Sequence, residues 1–490
     1  MKGSPFRRGA ALISLLVLTA VYTGAQEDGF GFEESPDGFG LPQERSSSLS
    51  LKLGGEISAA LNLFFGDLAS SAKFGNTRLG DIFSGKINFT ASSSVAEAVI
   101  NLNLRSEFQH VSPVSLDEAY GRFFFGPVDL EAGLRKLTWG KADSFGPLDV
   151  INPLDYTDPS AIGTPRNIKM ARPMVHVSWN MDSFSKLEGV FVPWFQGHKY
   201  ALEGRWIPAQ LASIKTMLAG YYPDLNSIYG WSGTDFFALE SDMADRLASG
   251  KIYGDTLSLA YAQGGLRFTT TTGSSDLGFQ YYFGRLPRIA IGKVDIEALG
   301  SIAPGSLDSI EEGLRRHVPI DYNPYHQLGL DFARVIGGFN FRAEGGINIT
   351  GDLTGDNGAV YNPAVVWSLG FDRDLFWGIN LNLQGNGSII LMHRRIDNAP
   401  LADTEEGTDL SSTRITAIFS KRFLMDQLET KLSALWGIEG RDFLIMPALS
   451  WTKNDLGLEL AAGFFGGNPD GELGQYRDNA YIKTILSWKF

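Results

Sequence analysis

From Leu49 to the end of the chain, apolar and polar residues alternate with a period of two. In FWGINLNLQGNGSIIL, Trp377, Ile379, Leu381, Leu383, Ile389 and Leu391 fall on one face, and Asn380, Asn382, Gln384, Asn386 and Ser388 on the other. Successive side chains of a strand point to opposite faces, so amides opposite aliphatics predict a strand with one wet and one apolar side. In VINLNLRSEF, Ile100, Leu102 and Leu104 likewise oppose Asn101, Asn103 and Arg105. In VDLEAGLRK, Val128, Leu130, Ala132 and Leu134 oppose Asp129, Glu131 and Arg135. Near the end, Leu428, Thr430, Leu432, Ala434 and Trp436 oppose Glu429, Lys431 and Ser433. If the wet faces line a lumen, Asn101, Asn103, Arg105, Asn380, Asn382 and Gln384 are candidate lining residues.

Eighteen such segments run from 49–64 to 479–490. A soluble sandwich would alternate too, so three further features decide. The segments are about 9 to 16 residues, the length of tilted membrane-spanning strands. Aromatics gather at their ends: Phe123, Phe124, Phe125, Trp179, Tyr281, Tyr282, Trp377, Trp451, Phe464 and Phe465, as interfacial girdles require. Connections after even-numbered segments are short, and most after odd-numbered ones are long, including 194–255, 287–325 and 393–411. That parity belongs to barrels with short periplasmic turns and long external loops. The expected fold is therefore all-β, a transmembrane antiparallel β-barrel of about 18 strands, with 16 as the alternative count. The last segment, AYIKTILSWKF, puts Ile482, Thr484, Leu486, Trp488 and Phe490 on one face and ends on an aromatic. This resembles the C-terminal assembly signal of bacterial outer-membrane barrels, with Trp488 and Phe490 as its candidate residues.

Composition and the N-terminus place this barrel. Lys2, Arg7 and Arg8 precede an apolar run from Ala10 to Tyr22, followed by the small residues Thr23, Gly24 and Ala25, the order of a secretory signal peptide. The expected organisation is a signal peptide over 1–25, a flexible acidic periplasmic tail over 26–48 and the barrel over 49–490. Without Lys2, Arg7 and Arg8, 39 basic residues stand against 55 acidic ones, a net charge of −16. Nucleic-acid binding does not fit such a balance. The chain has no cysteine, so neither disulfides nor a lipoprotein anchor are expected. Export without cysteine suits the outer membrane of a diderm bacterium.

No enzyme is expected. The histidines at 110, 176, 198, 317, 326 and 393 lack metal-ligand spacing, and neither a G-x-S-x-G elbow nor a P-loop occurs. Neither a metal nor another cofactor is expected. The expected partners are outer-membrane lipid, small solutes and the barrel-assembly machinery; the oligomeric state stays open. The loops containing TDFFALESDMADRLASG and GSLDSIEEGLRRH carry helix-capping patterns without a recognisable site.

One connection is unusual. LRKLTWGKADSFGPLDVINPLDY follows the fifth segment, on the external side, yet Leu137, Trp139, Phe145, Leu148, Val150, Ile151, Leu154 and Tyr156 prefer cover from water. Pro147, Pro153 and Pro159 fix its path, and Asp149, Asn152, Asp155 and Asp158 form turns. It is expected to fold inward against the lumen wall. With LDEAYGRFFFGPVDLEAG before it and RNIKMARPMVHVSW after it, residues 115–180 resemble a family of large porin-like outer-membrane barrels of unknown function. The matching residues are Glu118, Ala119, Tyr120, Gly133, Arg135, Trp139, Gly140, Asp143, Asp149, Asn152, Pro153, Asp155, Arg172 and Pro173. Leu134 separates Gly133 from Arg135, where that family usually has a Gly-Arg pair followed by Gln. The resemblance implies a transport barrel and names no substrate.

The expected function is a porin-like channel for passive diffusion of small solutes, narrowed by the 137–167 loop. Arg135, Lys141, Arg166, Lys169 and Arg172 would face Asp143, Asp149, Asp155 and Asp158 across the constriction, with Trp139 packed on the wall. A field between opposite charges would then select solutes. The alternatives are a transporter of hydrophobic compounds and a surface interaction protein using loops 194–255 and 287–325.

Overall fold

A computed structural model describes residues 49–65, 83–105, 114–162, 168–201, 204–209, 255–291, 320–398 and 402–490, with a few single positions between 226 and 241. The expected signal peptide and tail, the two helix-capping segments apart from Thr234 and Ser241, and Arg166 lie outside the described residues.

Eighteen antiparallel strands form one sheet that closes on itself. They are β1 (Ser50–Phe65), β2 (Phe83–Ser92), β3 (Ala96–Arg105), β4 (Val114–Phe125), β5 (Val128–Arg135) and β6 (Arg172–Asn180). Then come β7 (Ser185–Val192), β8 (Gln263–Thr272), β9 (Ser275–Arg285), β10 (Pro324–Ile336), β11 (Phe339–Thr350) and β12 (Ala364–Asp374). The circuit ends with β13 (Asn380–Ile390), β14 (Ser411–Phe423), β15 (Leu428–Gly437), β16 (Asp442–Lys453), β17 (Leu456–Gly467) and β18 (Ala480–Lys489). Each strand pairs with its neighbours in sequence, and β18 pairs with β1 from Glu56↔Lys489 to Phe65↔Ala480. Phe490 extends the seam, its N–H donating to the Gly55 carbonyl at 3.0 Å and its carbonyl accepting from the Gly55 N–H at 2.9 Å. Closure gives each of the eighteen strands a neighbour on both sides, which is what hydrocarbon demands of a spanning sheet.

The connections keep the expected parity. Those after even-numbered strands run from two residues (126–127) to five (375–379), at the end where the chain enters β1 and leaves β18. Those after odd-numbered strands include 136–171, 193–262 and 286–323 at the other end. Among the strands whose flanks are described, three start several residues later than their pattern suggests, one of them β12, which begins at Ala364 rather than at 360. β8 begins at Gln263 because 259–261 closes a 3-10 turn, with Ala262 N–H donating to Leu259 at 3.1 Å. β13 begins at Asn380 because 376–378 forms the hairpin turn, with Trp377 at φ 62°. Trp377 therefore stands on the short-turn rim.

Leu53, Ile57, Leu61, Leu266, Leu328, Leu330, Leu369 and Leu432 all point outward and are exposed. A soluble protein does not expose so broad an apolar surface; it fits lipid. Among the described residues no helix is long and apolar enough to cross a membrane; the strands cross. Phe125, Trp179, Trp451 and Trp488 lie towards the short-turn end of their strands, and Tyr281, Trp436 and Phe464 towards the other. Three of the expected girdle residues do not belong: Phe124, Tyr282 and Phe465 fall on the inner face, because strand neighbours alternate and Phe123, Phe125, Tyr281 and Phe464 take the outer one.

Candidate functional site

The described residues of the 136–171 connection turn into the barrel and lie on the inner wall, and their own sequence explains the path. Asn152 ties the neck. Its Oδ1 accepts from the Leu137 N–H at 2.8 Å, and its Nδ2 donates to the carbonyls of Arg135 at 3.1 Å and Met170 at 2.9 Å. One short amide thus joins both legs of the loop. A register shift between β3 and β4 at Asn101/Leu102 marks a bulge that lets Asp117 and Glu118 both reach Lys136. Asp117 takes its ammonium at 2.8 Å and Glu118 its backbone N–H at 2.8 Å.

The tip is held by one wall carboxylate. Glu344, on β11, accepts backbone N–H groups from Lys141, Ala142 (2.7 Å) and Leu148 (3.3 Å). Gly140, at φ 98°, permits this wrap: a Cβ there would come within 2.3 Å of Glu344 Oε1. The tip is fastened further by Gln280 and Gln327, which donate to the carbonyls of Leu148 (2.9 Å) and Pro147 (3.0 Å). Gln384 accepts from the Ser144 N–H at 3.0 Å. Every one of these amides sits at an inward strand position.

Apolar contacts fill the space between. Leu148, fully buried, seats over Gly329 and Gly346, which face each other across β10 and β11. A Cβ on Gly329 would lie 2.6 Å from its methyl group. Gly329→Leu is expected to lift the loop and cost about 1–3 kcal/mol, measured as a shift in the urea unfolding curve of the refolded barrel. Trp139 packs edge-on against Tyr282 at 6.3 Å, in a cluster with Leu137, Ile151 and Met174. Phe145, Leu154 and Tyr156 join a second cluster with Leu435, Leu444, Phe465 and Tyr481 of β15 to β18. The Tyr481 hydroxyl donates to the Ser160 carbonyl at 3.3 Å. The loop thus touches both sides of the barrel at the external end.

The charged candidates are not arrayed on facing walls. Arg135 pairs with Glu131 of its own strand, in a buried group with His176 and Glu188. Lys169 pairs with Asp149 of the same loop and donates to Thr138 at 2.6 Å. Arg172 donates to the Trp194 carbonyl and lies over the Phe195 ring. Asp155 accepts from Thr157, and Asp158 caps the short 3-10 helix Pro159–Ala161 through the Ser160 N–H at 3.0 Å. The physical reason is desolvation: a charge covered by a loop needs a partner within reach, so these groups fasten the loop.

Two candidates remain accessible at the tip. Lys141 approaches Asp276 at 3.7 Å. Asp143 accepts from Arg342 and from Asn382 at 2.8 Å, and Arg342 also reaches Asp372 at 2.6 Å. Burial pushes the Asp143 carboxyl above the ordinary aspartate range, with Arg342 pulling it back. Among the expected lining residues, Asn382 and Gln384 grip the loop, Asn101 donates to Glu118 at 3.1 Å, and Asn380 donates to Asp374 at 2.9 Å. Asn103 pairs with Ser115, and Arg105 is exposed at the end of β3.

Sequence reasoning missed Glu344, Arg342, Gln280 and Gln327. Their only signal is an inward polar position on an alternating strand, shared with dozens of residues. It also treated Asn152 as a turn former rather than as the tie of the neck.

No protein-family model matches the sequence, and no curated protein matches it. Solved structures of similar form include OccAB4 of Acinetobacter baumannii, at 10% identity and TM-score 0.47, covering 92% of this chain and 100% of that one. OprD of Pseudomonas aeruginosa is 9% identical with TM-score 0.45, covering 91% and 96%. Wzi of Escherichia coli, a carbohydrate-binding β-barrel of the outer membrane involved in group 1 capsule assembly, is 12% identical with TM-score 0.44, covering 89% and 84%. At such distance, what those proteins bind or pass says nothing of this chain.

Proposed function

We propose that this chain is a porin-like channel of the outer membrane, passing small solutes by diffusion through a lumen that the 137–167 loop narrows. The observation that carries the reading is that, beyond the external mouth, the loop covers one stretch of the inner wall and leaves another open. The loop tip seals the inner faces of β9 to β13, whereas on β2 the inward Lys86 and Asn88 stay exposed inside a closed barrel with an apolar exterior. Exposed polar side chains facing inward need water, and a barrel of this strand number is wide enough to hold it.

Selection would then fall between the tip and the uncovered wall. Asp143, Lys141, Arg342, Asp276 and Asp372 supply fixed charge on one side, with Lys86 and Glu56, which face each other on β2 and β1, on the other. Asp149, Lys169, Arg135 and Arg172 would act indirectly, by fixing the loop. The hydrophobic-route alternative finds less support, because Trp139, Leu148 and Ile151 are sealed against the wall and line no path. Trp488 and Phe490, on the outer face beside the seam, remain candidates for recognition by the barrel-assembly machinery.

Liposome swelling tests the proposal. Vesicles carrying the refolded protein should swell in small sugars and amino acids, at rates falling steeply with solute size. Vesicles that swell no faster than protein-free ones would refute it.

A further inference from the structure

A second external connection, 193–262, meets the inward loop in a short seam. Asp155–Tyr156 pairs in parallel with Lys199–Tyr200, and the Lys199 N–H donates to the Leu154 carbonyl at 3.0 Å. Beside it, the Leu154 N–H donates to His198 Nδ1 at 2.9 Å. That contact requires a lone pair on Nδ1. The backbone of His198 is itself fixed, its N–H donating to the Pro287 carbonyl at 2.9 Å. The ring meets the edge of Tyr156 at 5.3 Å, and Tyr156 stacks on Tyr200 at 5.6 Å.

We infer that His198 is an acid-sensitive latch between the two loops: protonation replaces the Nδ1 acceptor with a donor that opposes the Leu154 N–H, and the 153–156 arm is released. The charged and titratable groups around the seam favour the neutral ring. Asp155 is turned to Thr157, while Tyr156, Tyr200 and Tyr322 are neutral phenols. Lys199 is the neighbour in sequence, and Arg288, in the connection after β9, opposes a second positive charge. Burial in the seam and, next, Arg288 lower the His198 pKa to about 3. The released state, with an ordinary histidine, takes up its proton near pH 6.5. Because the latched pKa is the lower one, latching is complete above that value and weakens as pH falls towards 3.

The readout is hydrogen exchange at the peptide containing Leu154, corrected for intrinsic rates, on the refolded full barrel. It is independent of conduction, so a failed latch and a failed channel are told apart. In the unmodified protein, protection is expected to fall about thirtyfold between pH 7.5 and 5. H198N, whose amide oxygen accepts without titrating, should hold its protection at both values. H198F, with no acceptor, should be poorly protected at both. Protection independent of pH in the unmodified protein, an equal fall in H198N, or full protection in H198F at pH 7.5 would each overturn the latch.

Discussion

Replacing Glu344 with Ala is expected to free the tip of the inward loop and raise single-channel conductance without abolishing the barrel. Three backbone N–H groups, from Lys141, Ala142 and Leu148, would lose their shared acceptor. A buried donor left without a partner costs about 1–3 kcal/mol, so the seat as a whole loses about 3–9 kcal/mol, less whatever water re-enters. The eighteen-stranded ladder is untouched, since the strand hydrogen bonds do not pass through this side chain. Current recorded across a planar bilayer should show larger and noisier steps than those of the unmodified protein. Glu344→Gln keeps one acceptor oxygen and should fall between the two. Steps of unchanged size and noise in Glu344→Ala would mean that the tip does not limit the passage.

Asn152→Ala should do comparable damage at the neck by a different route. The Leu137 N–H, in a buried segment, loses its acceptor, and the carbonyls of Arg135 and Met170 lose a donor. The cost is about 2–5 kcal/mol. Because both legs part, the whole 136–171 connection should become accessible, and limited proteolysis should cut it while leaving the barrel intact. Asn152→Asp restores the acceptor but not the donor, so it should rescue only part of the resistance. A loop as resistant in Asn152→Ala as in the unmodified protein would show that the flanking apolar clusters hold the neck alone.

The strands were legible because one physical rule, opposite faces for successive residues, governs every one of them, and water on one side and lipid on the other keep the pattern clean. The rule slips where a turn of mostly apolar residues borders a strand and so continues its pattern: at Ser258 to Ala262 before β8, and at Phe376 to Gly378, where the backbone turns left-handed at Trp377. It also does not say which of two adjacent aromatics points out, so Phe124, Tyr282 and Phe465 are expected at the girdle although they fall on the inner face. The inward course of the loop followed from its apolar content. Its anchorage did not, since Glu344 lies about 200 residues from the N–H groups it holds. The described charged candidates lie in the inward loop or at the ends of the two strands it joins. Their pairing is set by distances in space, and Lys169 with Asp149 or Arg135 with Glu131 are short-range solutions to burial that sequence spacing alone leaves open.

The central claim is that a wet, loop-narrowed passage crosses this barrel, and single-channel recording of the refolded protein in a planar bilayer tests it most directly. Discrete, stable ion-conducting steps are expected for the unmodified chain, with larger steps when residues 141–160 are deleted. An absence of conducting steps in both proteins, each verified as a folded, inserted barrel, would contradict the account.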